Sequence, residues 1–101
     1  YYKSEVKTHR LQNPYFRFEL AREAFVNGNY DEAIDHLHAA IRRQDHESEF
    51  YSLLSLSYMM TGDSRSARRW MQQAEETANV DSEKQKYRRK LDFMKQYEGN
   101  Y

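Results

Sequence analysis

Residues 20–41 read LAREAFVNGNYDEAIDHLHAAI and residues 54–78 read LSLSYMMTGDSRSARRWMQQAEETA, and the two align when one is shifted by 34 positions. Leu20 falls on Leu54, Gly28 on Gly62, Ala33 on Ala67 and Ala40 on Ala74, and just upstream Phe16 falls on Phe50. The near matches Ala21 with Ser55, Phe25 with Met59, Asn29 with Asp63 and Leu37 with Met71 follow the same pattern. Only apolar, small and turn positions are kept, while the polar positions have drifted. A fixed period held by packing positions alone marks stacked structural repeats.

Each unit reads as two helices around a tight turn. Asn13-Pro14 opens the first helix, because Asn caps free amides and Pro takes the first helical position, where its missing donor costs nothing. Phe18, Ala21 and Phe25, flanked by Leu20 and Ala24, recur at spacings of three and four and give a broad apolar stripe. Gly28 supplies the positive φ that ends the helix, and Asn29 with Glu32 predicts a capping box for the next. That next helix carries Ala33, Ile34, Leu37, Ala40 and Ile41 at helical spacing. In the second unit Tyr51, Leu54, Tyr58 and Met59 form the first helix, Gly62-Asp63 the turn and cap, and Ala67, Trp70, Met71 and Ala74 the second helix.

The register fails after Asp81. There Ser82 with Gln85 predicts a further capping box, and Tyr87, Leu91, Met94 and Tyr97 form a narrow stripe on an otherwise charged helix, as expected of a segment that closes a stack with a polar outer face. The expected division is an N-terminal arm or linker at 1–12, units at 13–46 and 47–81, a capping helix at 82–98 and a tail at 99–101. The arm reads equally as a helix of a preceding repeat.

On these residues, the stretch 14–81 resembles two tetratricopeptide repeats. The resemblance rests on Leu20, Ala21, Gly28, Tyr30, Ala33 and Ala40 in the first unit and on Tyr51, Leu54, Tyr58, Gly62, Ala67 and Ala74 in the second. Arg17 and Ala24 depart from it, standing where aromatic residues are usual, and Asp45 and Asn79 replace the customary Pro. The resemblance implies an all-α, right-handed helix-turn-helix repeat stack of about five helices. It also implies a concave surface, lined by the first helix of each unit, that receives a peptide or a helix. Carried over position by position, that groove shows Tyr15, Phe18, Arg22, Phe25 and Val26 from the first unit and Ser52, Leu56, Met59 and Met60 from the second. Members of the family that clamp a C-terminal carboxylate place Lys, Arg and Asn on these faces. Aromatic and Met side chains with a single Arg point away from such a clamp and toward hydrophobic anchors of an amphipathic helix or extended segment, with Arg22 meeting one acidic group.

Composition sets the outer limits. The 101 residues make one small domain, and sixteen basic groups against sixteen acidic ones give no net charge to draw the whole molecule to nucleic acid or an anionic membrane. Leu, Ile, Val and Phe total only 17, but a helical stack needs a strip between helices rather than one centre, and eight Ala and nine Tyr supply close approach and bulk. Without Cys there is no disulfide or thiolate chemistry, and the compartment stays open. The longest nearly apolar run, Leu53 to Met60, is broken by Ser55 and Ser57 and is far shorter than a membrane span. The chain opens Tyr1-Tyr2-Lys3 without an apolar signal core, and we read it as a piece of a longer protein.

Chemistry is sparse. His36 and His38, two apart on a helix, face different ways and do not chelate one ion. Asp31, Glu32 and Asp35 read as first-turn acids favouring the macrodipole, and Ser52, Ser55 and Ser57 have no activating His and Asp pattern. No catalysis, metal or cofactor is expected. Lys84, Lys86, Arg88, Arg89 and Lys90, with Tyr87 interleaved, are of the kind that contacts phosphates and stacks on a base, but Asp81, Glu83 and Asp92 dilute the run and favour a solvated outer face. The expected partner is therefore a protein or peptide, with nucleic acid disfavoured. Two further occupants of the groove stay open, residues 1–12 with Tyr1, Tyr2, Val6 and Leu11, and a second copy of the chain.

Overall fold

The computed structural model describes the backbone of residues 11–99 and the side chains of residues 11–96. Five helices follow one another among them, α1 (Pro14–Val26), α2 (Tyr30–Arg43), α3 (Ser48–Met60), α4 (Ser64–Thr77) and α5 (Asp81–Gly99), with no strand. Each packs on its neighbours in the chain, so α1 and α2 form one hairpin, α3 and α4 a second, and α5 leans on α4. Helices α1 and α3 also meet directly. The all-α repeat stack is thus as expected. Residues 1–10, most of the arm, and the last two residues of the tail lie outside the described residues.

Local signals account for most boundaries. The Asn13 side chain accepts a hydrogen bond from the Tyr15 amide at 2.9 Å, with Pro14 at the first helical position. Both inner turns need positive φ, +81° at Gly28 and +91° at Gly62, which a residue with a Cβ adopts only under strain. No atom lies close enough to either glycine for sterics to be the reason, so backbone conformation alone fixes these positions. Asp63 caps α4 by accepting from the Ser66 amide at 3.1 Å and from the Ser66 hydroxyl at 2.7 Å. These two bonds hold its carboxyl below the usual range.

Two expected caps do not form. The Asn29 side chain makes no capping bond although Asn29 occupies the cap of α2. Its backbone angles are close to those of Asp63, but an amide stands in place of the Asp63 carboxylate and Glu32 in place of the hydroxyl donor Ser66. In α5 the helix already begins at Asp81, with the Lys84 amide bonded to the Val80 carbonyl, so Ser82 sits inside the first turn and is not a cap. Tyr97 belongs to α5, but its side chain lies outside those described.

The core is a strip in two parts. Ala21, Ala24, Ala33, Leu37 and Leu54 are buried together between α1, α2 and α3, with Phe18, Phe25 and Ile34 packed on them. Tyr51, Met71, Ala74, Ala78, Tyr87, Leu91 and Met94 form the second part between α3, α4 and α5. Ile41 and Trp70 touch both. Buried alanines on α2 and α4 let the helices approach, and aromatic side chains fill the wider gaps. The serines of α3 are compatible with burial because each hydroxyl resolved in a bond has a carbonyl or phenol partner. Ser55 donates to the Ala67 carbonyl, Ser57 to the Leu53 carbonyl at 2.8 Å and Ser48 to the Tyr87 hydroxyl at 3.5 Å. At the turn between the units, where Asp45 replaces the expected Pro, the Tyr51 hydroxyl donates to the Asp45 carbonyl at 2.8 Å. Burial first, then the Asp45 charge, pushes the Tyr51 phenol up.

A groove lined by three helices

The first helices of the two pairs, α1 and α3, share one face of the stack with α5. Phe18 and Arg22 of α1, Glu49, Ser52, Leu53 and Leu56 of α3, and Lys86 and Tyr87 of α5 enclose a hollow of about 190 Å³. Next to it a larger one of about 430 Å³ lies between Leu56 and Met59 of α3 and Lys86, Arg89, Lys90, Phe93 and Met94 of α5. Leu56 and Lys86 belong to both, so the two hollows form one groove.

Five of the nine residues assigned to a groove from sequence come together here, namely Phe18, Arg22, Ser52, Leu56 and Met59. Tyr15 stands at the edge, half exposed, its hydroxyl donating to Glu47 at 3.0 Å and its ring edge-on to Phe50 at 5.7 Å. Phe18 reaches the same Phe50 ring at 5.0 Å, so these aromatic contacts fix α1 against α3. The other three lie elsewhere. Phe25 packs into the core and edge-on to Tyr30 at 5.3 Å, a consequence of its place on the stripe that faces α2. Val26, 82% exposed, is at the end of α1 and borders a separate hollow with Phe16, Leu20 and Arg22. Met60 ends α3 and borders a separate hollow of about 450 Å³ with Tyr30 and the Gly28 turn. Val26 and Met60 each follow a groove residue, Arg22 and Leu56, by about one helical turn, which carries them along the helix beyond the residues that line the groove.

The third wall was not legible as such. Helix α5 buries Tyr87, Leu91 and Met94 against the core as the stripe required, yet it also turns a second face, Lys86, Arg89, Lys90 and Phe93, toward the groove. Phe93, 65% exposed and off the buried stripe, was the available signal. Tyr87 is almost fully buried, which removes it as a platform for a base.

Electrostatics divide the basic run by direction. Arg88 turns outward to Glu75 at 3.0 Å. The Lys86 and Lys90 ammonium groups lie 4.7 Å and 5.9 Å from the Tyr87 ring centroid. Among the described residues neither they nor Arg89 has a carboxylate within ion-pair distance. Arg22, by contrast, is held by Glu19 at 3.2 Å and lies over the Phe18 ring at 6.0 Å. The described residues hold no cluster of three metal-ligating side chains. His36 meets Arg17 at 3.1 Å and His38 meets the Tyr58 hydroxyl at 3.0 Å, so each histidine is engaged on its own side of α2.

A family model for the tetratricopeptide repeat matches residues 12–91. No curated protein matches the chain.

Proposed function

The chain belongs to the tetratricopeptide repeat family, and on that premise we propose that it is a non-catalytic interaction module that takes a peptide or amphipathic helix in the groove of α1, α3 and α5. Repeats of this family generally mediate protein–protein interaction and are typically non-catalytic. No helix of the described residues is long and apolar enough to cross a membrane. The observation that carries the reading is the larger hollow, whose apolar wall includes the exposed ring of Phe93. A contiguous apolar surface of that kind on a small domain gains from being covered.

The test is affinity capture from a lysate of the source cells by wild-type protein and by two variants of similar size change. Phe18→Ala with Met59→Lys alters the groove, and Val26→Lys with Met60→Lys alters exposed positions away from it. Helicity by circular dichroism is expected to persist in both, with capture lost only in the groove variant. Unchanged capture by that variant sinks the groove assignment.

One observation supports a second reading, in which the segment extends a longer solenoid or pairs with another copy. Phe16 and Leu20 of α1 are only half buried, whereas their counterparts Phe50 and Leu54 are buried, Phe50 against Tyr15 and Phe18 of α1 and Leu54 in the cluster of α1 and α2. Light scattering after size exclusion separates the two, since a monomer over the accessible concentration range disfavours self-association.

A further inference from the structure

We propose that the α3–α5 end of the groove selects an acidic amphipathic segment, one that places a large apolar side chain between Met59, Phe93 and Met94 and carboxylates against Lys86, Arg89 and Lys90. The inference rests on the groove being the binding surface and adds the chemistry of what it accepts.

Three features of α5 lead there. Arg89 and Lys90 stand three and four residues after Lys86, and Phe93 three after Lys90, so the helix itself sets three cations and a ring along one face. Their sign is uniform. The acids of α5 nearest in sequence, Glu83 and Asp92, do not line the larger hollow, and the one carboxylate on the groove wall, Glu49, lines only the smaller one, with Arg22 and Lys86. Finally, the cations lack a carboxylate partner, although Lys86 and Lys90 lie against the Tyr87 ring. Arg88 in the same run already has Glu75, while these three have no ion-pair partner among the described residues.

An apolar hollow ringed on one side by cations separates partners by charge as well as by fit. Apolar anchors supply area, while the cations favour carboxylates and repel a basic amphipathic helix of the same hydrophobic pattern. Arg89 offers a planar fork for bidentate contact with a carboxylate, and the two lysines act as point charges. Phosphate is recognised by the same groups. A nucleic acid, however, gains little from the apolar floor, and the ring best placed to stack on a base, Tyr87, is buried. The favoured occupant is therefore protein.

The experiment uses fluorescence anisotropy with short synthetic peptides that share Leu and Phe at helical spacing and differ only in having Glu, Gln or Lys at the flanking positions. Wild-type protein is compared with the triple variant Lys86→Glu, Arg89→Glu, Lys90→Glu. These side chains are exposed, so the buried Tyr87, Leu91 and Met94 keep α5 in place, and circular dichroism checks that they do. The Glu peptide is expected to bind wild type at least about tenfold more tightly than the Lys peptide at low salt, with Gln between them, and the preference is expected to shrink as salt rises. In the triple variant the order is expected to invert. Equal binding of Glu and Lys peptides, or an unchanged order in the variant, overturns the charge selection while leaving a peptide-binding groove intact. Absence of binding by all three peptides, or their displacement by an oligodeoxynucleotide that binds more tightly through the same three residues, overturns it as well. Lysate capture that persists through such a result keeps the broader interaction role.

Discussion

Helices α1 and α3 are built from matching residues, Phe16 with Phe50 and Leu20 with Leu54, yet among the five helices of residues 14–99 α3 has neighbours on both flanks and α1 on one. Phe50 and Leu54 are 2% and 0% exposed, and Phe16 and Leu20 only half buried. The pairing inside each unit differs as well. In the second unit Tyr51 and Trp70 stack at 5.8 Å with rings 8° from parallel, while the matching positions in the first hold Arg17 and His36, joined by a polar contact at 3.1 Å. A repeat motif therefore specifies a local fold but not its energy. What each kept residue contributes depends on which neighbour closes over it.

The widest gap between the units is expected at the matched leucines. Leu54→Ala removes a fully buried side chain from between three helices and is expected to cost about 3 kcal/mol, whereas Leu20→Ala is expected to cost about 1 kcal/mol. Urea unfolding of the two variants measures the difference. Equal costs break the comparison, because they mean that something covers the outer flank of α1 in solution.

A transplant sharpens it. Arg17→Tyr with His36→Trp writes the second unit's stack into the first, and is expected to raise stability by about 1 kcal/mol, net of the Arg17 bond to the Leu11 carbonyl that is lost. Each single substitution is expected to gain less than half of the pair, since one ring has nothing to lie on. Thermal unfolding of the two single variants and the double one reads the coupling directly.

A smaller effect belongs to the serines. Ser55, at the position matching Ala21, donates to the carbonyl of Ala67, a residue inside α4 whose oxygen also serves the helix ladder. Ser55→Ala thus removes a donor without leaving an acceptor bare, and is expected to cost only about 0.5 kcal/mol. A cost several times larger means that the hydroxyl sets the spacing between α3 and α4 and is not a tolerated passenger.

These contrasts also explain how far the sequence could be read. The period exposed the two hairpins because Gly28 and Gly62 are demanded by backbone conformation and the alanines by close packing, both local needs that leave a residue type behind. Asn13 and Asp63 were readable as caps for the same reason. Asn29 misled, since a capping residue type permits the bond to the free amides without ensuring it. The assigned groove was legible where helical rotation kept Phe18, Arg22, Ser52, Leu56 and Met59 on one side. The groove itself leaves out Phe25, whose stripe faces α2, and Val26 and Met60, which stand one turn further on at the ends of α1 and α3. The α5 wall was missed because the repeat register ends before it, so no counterpart marked Arg89 or Phe93 as inward-facing.

The joint between the units supplies the last and smallest expected effect. His38 of α2 bonds the Tyr58 hydroxyl of α3 and lies edge-on to Trp70 of α4, at 5.6 Å between centroids. Partial burial first, then the Arg42 charge, lowers its pKa from 6.5, with Asp35 opposing. The folded imidazole thus takes up a proton only at lower pH than the unfolded one. Between those two values the unfolded chain binds more protons, and stability falls as pH falls through the window below 6.5. The counterpart of His38 in the second unit is Gln72, an exposed side chain that does not titrate, so the α2–α3 joint is expected to loosen with acid while the α4–α5 joint is indifferent through this position. Urea midpoints from about pH 7.5 down to about pH 5 are expected to fall more steeply for wild type than for His38→Gln. Amide exchange along α3 locates the loss. Parallel pH profiles for the two proteins exclude His38 as the source, and place the acid sensitivity with the other titratable groups that both retain.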